Sequence, residues 1–182
     1  MTIKVTFQDF ESRADLDTYL TRSAGRYVLV GADAEAPRRY YALDLTDESG
    51  VETRVGIVSS HHGIPPSWVF SADGQILAVG HDQSVTVVDI TNHRLASARE
   101  LDGVFFEFIP QADPNNFIVL HELGAAKFDF SGNELWSVPT PDIAESAHVR
   151  DGKTLVVRHQ GPGKDLAINI RTGRAELHNP SS

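Results

Sequence analysis

Three histidines recur at a near-constant interval: His81, His121 and His159 stand 40 and 38 residues apart. Imidazole is the commonest metal ligand and a ready general base near neutral pH, so three at matched positions suggest a metal ring. Magnitudes oppose it. If each ends an equivalent strand in sheets set around an axis, with strands about 4.8 Å apart, the rings stand roughly 11–14 Å from one another. Zinc needs its nitrogens at about 2.0–2.1 Å. A residue that repeats with the architecture serves the architecture, so no metal and no cofactor are expected.

The segment Ser59-Ser60-His61-His62-Gly63-Ile64-Pro65-Pro66 holds a hydroxyl and an imidazole close together. Nucleophilic catalysis needs the two in hydrogen-bond reach and a third group to orient the base. Sequence neighbours seldom meet that geometry, and no Gly-x-Ser-x-Gly elbow is present. Arg38-Arg39-Tyr40-Tyr41 enters a strand; Arg and Tyr concentrate at interface hot spots, and alternation puts Arg39 and Tyr41 on one face. Gly161-Pro162-Gly163-Lys164 lacks the spacing of a phosphate-cradling loop. The expected binding set is therefore Arg38, Arg39, Tyr41, His61, His62, His81, His121 and His159, with no catalytic residue assigned.

These residues hang on a repeat. Asp44, Asp89, Asp129 and Asn169 each lie between two apolar residues just before a polar turn, at spacings of 45, 40 and 40. Such residues bond the backbone two positions on, so a structural role is expected. Asp73-Gly74 and Asp151-Gly152 mark tight hairpins, where Gly accepts positive φ. Each unit divides into four short strands, giving repeats at 26–66, 67–102, 103–145 and 146–179 within one domain. A further strand is expected at 2–7, where Ile3, Val5 and Phe7 alternate with polar residues. A helix is expected over about 9–21, opened by Ser12 and Asp15 and stopped by Gly25.

The run Ser71-Ala72-Asp73-Gly74, then Leu77-Ala78-Val79-Gly80-His81-Asp82, then Val85-Thr86-Val87-Val88-Asp89, resembles a WD40-type blade, with Val88 where that pattern carries Trp. Phe128-Asp129-Phe130-Ser131-Gly132-Asn133-Glu134-Leu135-Trp136 is more similar to a quinoprotein-type blade. The resemblance implies an all-β chain of four four-stranded antiparallel repeats, a small β-propeller or propeller-like arc, with one short N-terminal helix. It carries no cofactor residues. A closed ring, an open arc and an arc completed by a second copy all fit the length; closure through the strand at 2–7 is expected.

The chain has 182 residues, 16 Lys and Arg against 25 Asp and Glu for a net charge of −9, and no Cys. Disulfides and thiolate metal sites are thereby excluded. With Arg38–Arg39 the one adjacent basic pair, no basic stripe points to nucleic acid. No apolar run suggests a secretory leader or a membrane span, so a cytoplasmic protein is expected. Topology puts the irregular segments, 31–38, 59–66, 139–145 and 160–164, on one rim. Loops on a rigid scaffold carry function. The expectation is a non-catalytic module that binds a protein partner, in keeping with its charge a basic one, through that rim. The alternatives are a small acidic immunity-type protein that occludes a basic toxin, and a hydrolase or lyase with a propeller pocket.

Overall fold

The computed structural model describes residues 3–22, 26–32, 38–60, 63–161 and 165–178. Strands dominate. Sheet 1 comprises β1 (Lys4–Phe10), β2 (Tyr27–Val30), β3 (Arg39–Thr46) and β4 (Glu52–Ser59), with α1 (Arg13–Thr21) between β1 and β2. Sheet 2 comprises β5 (Ser67–Phe70), β6 (Ile76–His81), β7 (Ser84–Asp89) and β8 (Arg94–Glu100). Sheet 3 comprises β9 (Phe105–Ile109), β10 (Asn116–His121), β11 (Gly124–Asp129) and β12 (Glu134–Pro139). Sheet 4 comprises β13 (Ala144–Arg150), β14 (Thr154–His159), β15 (Asp165–Asn169) and β16 (Ala175–His178). Sheets 2, 3 and 4 are antiparallel meanders paired in sequence order.

Strand alternation explains the stacking, because successive side chains leave opposite faces. In β6, Leu77 and Val79 join the core against sheet 1, whereas Ala78 joins the core against sheet 3. In β10, Phe117 and Val119 face sheet 2 while Ile118 and Leu120 face sheet 4. Both faces of these strands are covered, which is why their sequences are apolar without a break. Gly80 shows how close the stacking is: a Cβ there would lie 2.1 Å from the Phe105 ring.

Sheet 1 departs from its neighbours. Its order is β1-β3-β4-β2, and β2 runs parallel to β4. The N-terminal strand forms the edge beside β5, where Phe7 stacks on Trp68 at 5.6 Å. It extends to Phe10, so the helix begins at Arg13 rather than at Asp9. Ser12 caps it, its Oγ accepting from the Asp15 N–H at 3.2 Å. Gly25, its expected stop, lies outside the described residues. The helix covers the far face of sheet 1 with Leu16 and Leu20 against Ala42 and Val58. A polar network secures it: Tyr19 and Gln8 both donate to Asp44 Oδ2, and Arg54 lies 3.3 Å from Asp44 Oδ1 and 4.2 Å from the Tyr19 ring centre.

Two expectations are corrected. Asp44 is not a turn residue. Asp89, Asp129 and Asn169 accept from backbone N–H groups of their turns, but in sheet 1 Asp47 does so. Asp44 lies inside β3, which neighbours the edge strand and belongs to the helix network instead. Nor do the described residues close a ring. Among the described residues, core clusters join α1 to sheet 1, sheet 1 to sheet 2, sheet 2 to sheet 3, and sheet 3 to sheet 4. None joins sheet 4 back to sheet 1. The strand Lys4–Phe10 completes the first sheet, and the described residues form an open arc with α1 on one end face. The face at the other end is polar, carrying Arg150, Thr154, Asn169 and Glu176.

Candidate functional site

His81, His121 and His159 each end the second strand of their sheet, so the repeat places them along one rim of the arc. Their surroundings differ. Among the described residues no three His, Asp or Glu side chains converge on a point able to hold a metal ion.

His81 is buried at 5% exposure and both ring nitrogens have partners. Nδ1 lies 3.3 Å from Asp82 Oδ2 and Nε2 lies 3.0 Å from Ser84 Oγ. Gly31 backs the ring; a Cβ there would meet Cε1 at 3.0 Å and the Val58 carbonyl at 2.2 Å. Asp82 sits in the β6–β7 turn with φ +48° and reaches across to sheet 1. It accepts from Ser59 Oγ at 2.8 Å and from the Ser60 N–H at 2.9 Å. Burial would raise its pKa, but the bonds from His81, Ser60 and Ser59 and the charge of His81 outweigh that and lower it to about 2. The order Ser84, His81, Asp82 matches a hydroxyl, a base and an orienting carboxylate. Each of these polar atoms nevertheless ends on protein, and Ser84 Oγ also lies 3.2 Å from the His81 carbonyl within its own hairpin. The array is a clip joining sheets 1 and 2.

His121 is buried at 2% exposure and its Nδ1 has no protein partner. Burial lowers its pKa, opposed by the nearby charges of Asp102 and Glu122. These two carboxylates belong to a wider set. Asp102 lies in the link from β8 to β9, Glu122 in the β10–β11 hairpin, Asp142 in the link from β12 to β13, and Glu145 near the start of β13. All lie on the rim, and among the described residues none makes an ion pair. Leu123, exposed at 43%, lies in the same hairpin as Glu122.

The other expected residues fall as follows. Arg38 and Arg39 are exposed at the sheet 1 end of the rim; the Arg38 N–H donates to the Ser59 carbonyl, and Arg39 lies 3.7 Å from Asp9. Tyr41 is in the core, 5% exposed and stacked on Phe7 at 5.2 Å. Its pKa is raised by burial and then by the charge of Asp9. His159 is half-buried, with Nδ1 3.1 Å from the Gln160 carbonyl. His61 and His62 lie outside the described residues. The structure thus joins His81 to Ser59 and Ser60 through Asp82, a residue the sequence reading passed over although it follows His81 directly. It also gathers the acidic set, which the overall charge gave no means of placing. Assigning each carboxylate to a rim by topology is the signal that finds it.

Cavities open on the opposite rim, where the tight turns lie. One of about 210 Å3 sits between sheets 1 and 2 near His93. A second of about 350 Å3 lies between sheets 2 and 3. A third of about 510 Å3 lies between sheets 3 and 4 near Lys153 and Arg171.

Four stacked, four-stranded sheets around a common rim define a propeller-like all-β fold. Comparison with solved structures agrees: hydrazine synthase from Kuenenia stuttgartiensis is similar at a TM-score of 0.53 and 18% identity over 86% of this chain. The chain spans about half of that one, 50% of its length. At that identity the likeness concerns the fold alone. No protein-family model and no curated protein sequence matches the chain. No described helix is long and apolar enough to cross a membrane.

Proposed function

We propose that the chain is a non-catalytic binding module whose loop rim receives a protein partner bearing a basic patch. The observation that carries this reading is the set Asp102, Asp142 and Glu145, exposed on one rim with the half-buried Glu122, without ion pairs among the described residues and accompanied by the exposed Leu123. An unpaired charged rim speeds encounter with a partner of opposite sign, and an apolar side chain among the charges supplies contact area on docking. The Ser84–His81–Asp82 array argues for scaffold rather than catalysis, since its imidazole is buried and its carboxylate is committed to the Ser59 hydroxyl and the Ser60 N–H of the neighbouring sheet.

The test is affinity capture from the native host in parallel with wild type and the triple variant Glu122→Lys, Asp142→Lys, Glu145→Lys. A protein held by wild type, lost by the variant and associating more slowly as salt rises supports the reading. Retention of the same proteins by both, or of none above the bare support, sinks it.

A further inference from the structure

The geometry points to a second binding site on the turn rim: the cavity between sheets 3 and 4 takes a small molecule that carries a phosphate monoester. In a chain of net charge −9, the ionisable lining of this cavity is Lys127, Lys153 and Arg171 against Asp113 alone. Its volume of about 510 Å3 falls within the range of small-molecule sites, roughly 300–1,000 Å3. A phosphate fills a small part of it, which leaves room for an organic body beside Ala112 and Ile170.

The one carboxylate in the lining is neutralised from within the protein. Asp113 Oδ1 accepts from the Asn115 N–H at 3.0 Å; Oδ2 accepts from Asn116 Nδ2 and lies 3.3 Å from the Lys127 ammonium. Lys127 is 5% exposed, and its cross-strand partners Ile118 and Trp136 belong to the core between sheets 3 and 4. The repeat asks for no charge there. The matching residues, two places before Asp89 and Asn169, are Val87 and Ala167. A lysine in a sheet interface loses hydration, and its one ion-pair partner among the described residues is Asp113. Lys127 thereby leaves the cavity without a repelling carboxylate.

Lys153 and Arg171 stand uncompensated. Both are exposed, Lys153 after the Asp151-Gly152 turn and Arg171 in the turn that follows β15, and neither makes an ion pair among the described residues. Asp151 does not line the cavity and lies 3.8 Å from Arg150. Two such cations at the mouth of one cavity suit two negative charges on one group. A phosphate monoester has them above its second pKa of about 6, and its oxygens match the guanidinium fork while the ammonium adds a point charge.

Methyl phosphate and dimethyl phosphate, at pH 8 and matched ionic strength, differ in that second charge. NMR of isotope-labelled protein should show saturable methyl phosphate shifts at the amides of Gly152, Lys153 and Arg171, with a dissociation constant on the order of 1 mM. Dimethyl phosphate, a monoanion, should bind at least about fivefold more weakly. The exposed pair changed together, Lys153→Gln and Arg171→Gln, should weaken methyl phosphate about tenfold, whereas Arg158→Gln, outside the cavity, should leave it unchanged. Lys127→Met should weaken it about fivefold by baring the Asp113 charge, and Asp113→Asn added to Lys127→Met should restore it. The ester comparison and the exposed-pair variant decide the matter even if the Lys127 variants fail to fold. No saturable shift at those amides, equal affinity for the two esters, wild-type affinity in the exposed-pair variant, or unchanged binding by a folded Lys127→Met overturns the assignment.

Discussion

The β6–β7 and β10–β11 hairpins hold the same place in consecutive sheets, and each follows a strand ending in a buried histidine. Their backbones work alike. The Leu101 and Phe105 N–H groups donate to the Gln83 and Asp82 carbonyls, and the Thr140 and Ala144 N–H groups donate to the Leu123 and Glu122 carbonyls. Each hairpin thereby holds the chain that leads into the next sheet. The side chains diverge. Asp82 is short enough to turn back to His81 and across to Ser59 and Ser60, closing a polar clip with sheet 1. Glu122, one methylene longer, makes a 3.5 Å contact with the Val104 N–H and leaves His121 Nδ1 without a partner. A repeat fixes its backbone bonds first; the chemistry of each copy is then set by one residue in the turn.

The largest break in this comparison is removal of the clip. Asp82→Ala strips the acceptor from the Ser59 hydroxyl, the Ser60 N–H and His81, all held at a sheet interface. Each hydrogen bond to a charged carboxylate contributes about 1.5–3 kcal/mol; with relaxation the expected loss is about 3 kcal/mol. For a chain of this size that lowers Tm by about 6–12 °C. Glu122→Ala at the matching position should cost less than about 0.5 kcal/mol, as surface changes do. Calorimetry of the two variants decides it, and equal losses would dissolve the contrast.

The second effect is acid-dependent. The Asp82 carboxyl titrates at about 2 in the folded chain against 3.8 when free. Its folded pKa is depressed, so its stabilisation is complete above about pH 4 and disappears as pH falls toward 2. A shift of this size corresponds to about 2 kcal/mol. Urea unfolding at pH 5 and pH 2.5 should show a loss in wild type that is smaller by about that amount in Asp82→Asn. A variant that tracks wild type across the window would place the protection elsewhere.

The contrast also shows what could be read before the fold was known. The four-unit repeat, its hairpins and the strand-end histidines were legible because turns need Asp, Asn and Gly at fixed places, and because strands covered on both faces must be apolar. Sheet 1 was only half legible. Asp44 copies the local pattern of Asp89 and Asp129, yet the turn is closed by Asp47; the pattern records a β-strand near a turn, not the strand that faces it across the sheet. Tyr41 shares the alternation of Arg39, but Phe7 comes from far along the chain to bury it. The Ser59–Asp82 bond spans 23 residues and two sheets, a distance over which local rules say nothing. The open arc likewise depends on what lies beside the end faces, which no strand pattern encodes.

The smallest effect sharpens the other side of the comparison. Burial holds the His121 pKa below its usual 6.5. The unfolded chain therefore takes up a proton more readily than the folded one, and stability at this site is lost as pH falls below 6.5. His121→Leu removes the titrating ring and the Nδ1 that lacks a protein partner, so unfolding free energies at pH 7.5 and pH 5.5 should differ less than in wild type. Glu122→Gln should act oppositely. The Glu122 charge favours the protonated ring, and without it the folded chain resists protonation further, steepening the decline. Denaturant titrations of the three proteins at both pH values give the ordering: steepest in Glu122→Gln, intermediate in wild type, flattest in His121→Leu. Any other order would mean that the β10–β11 hairpin, like its neighbour, satisfies its histidine.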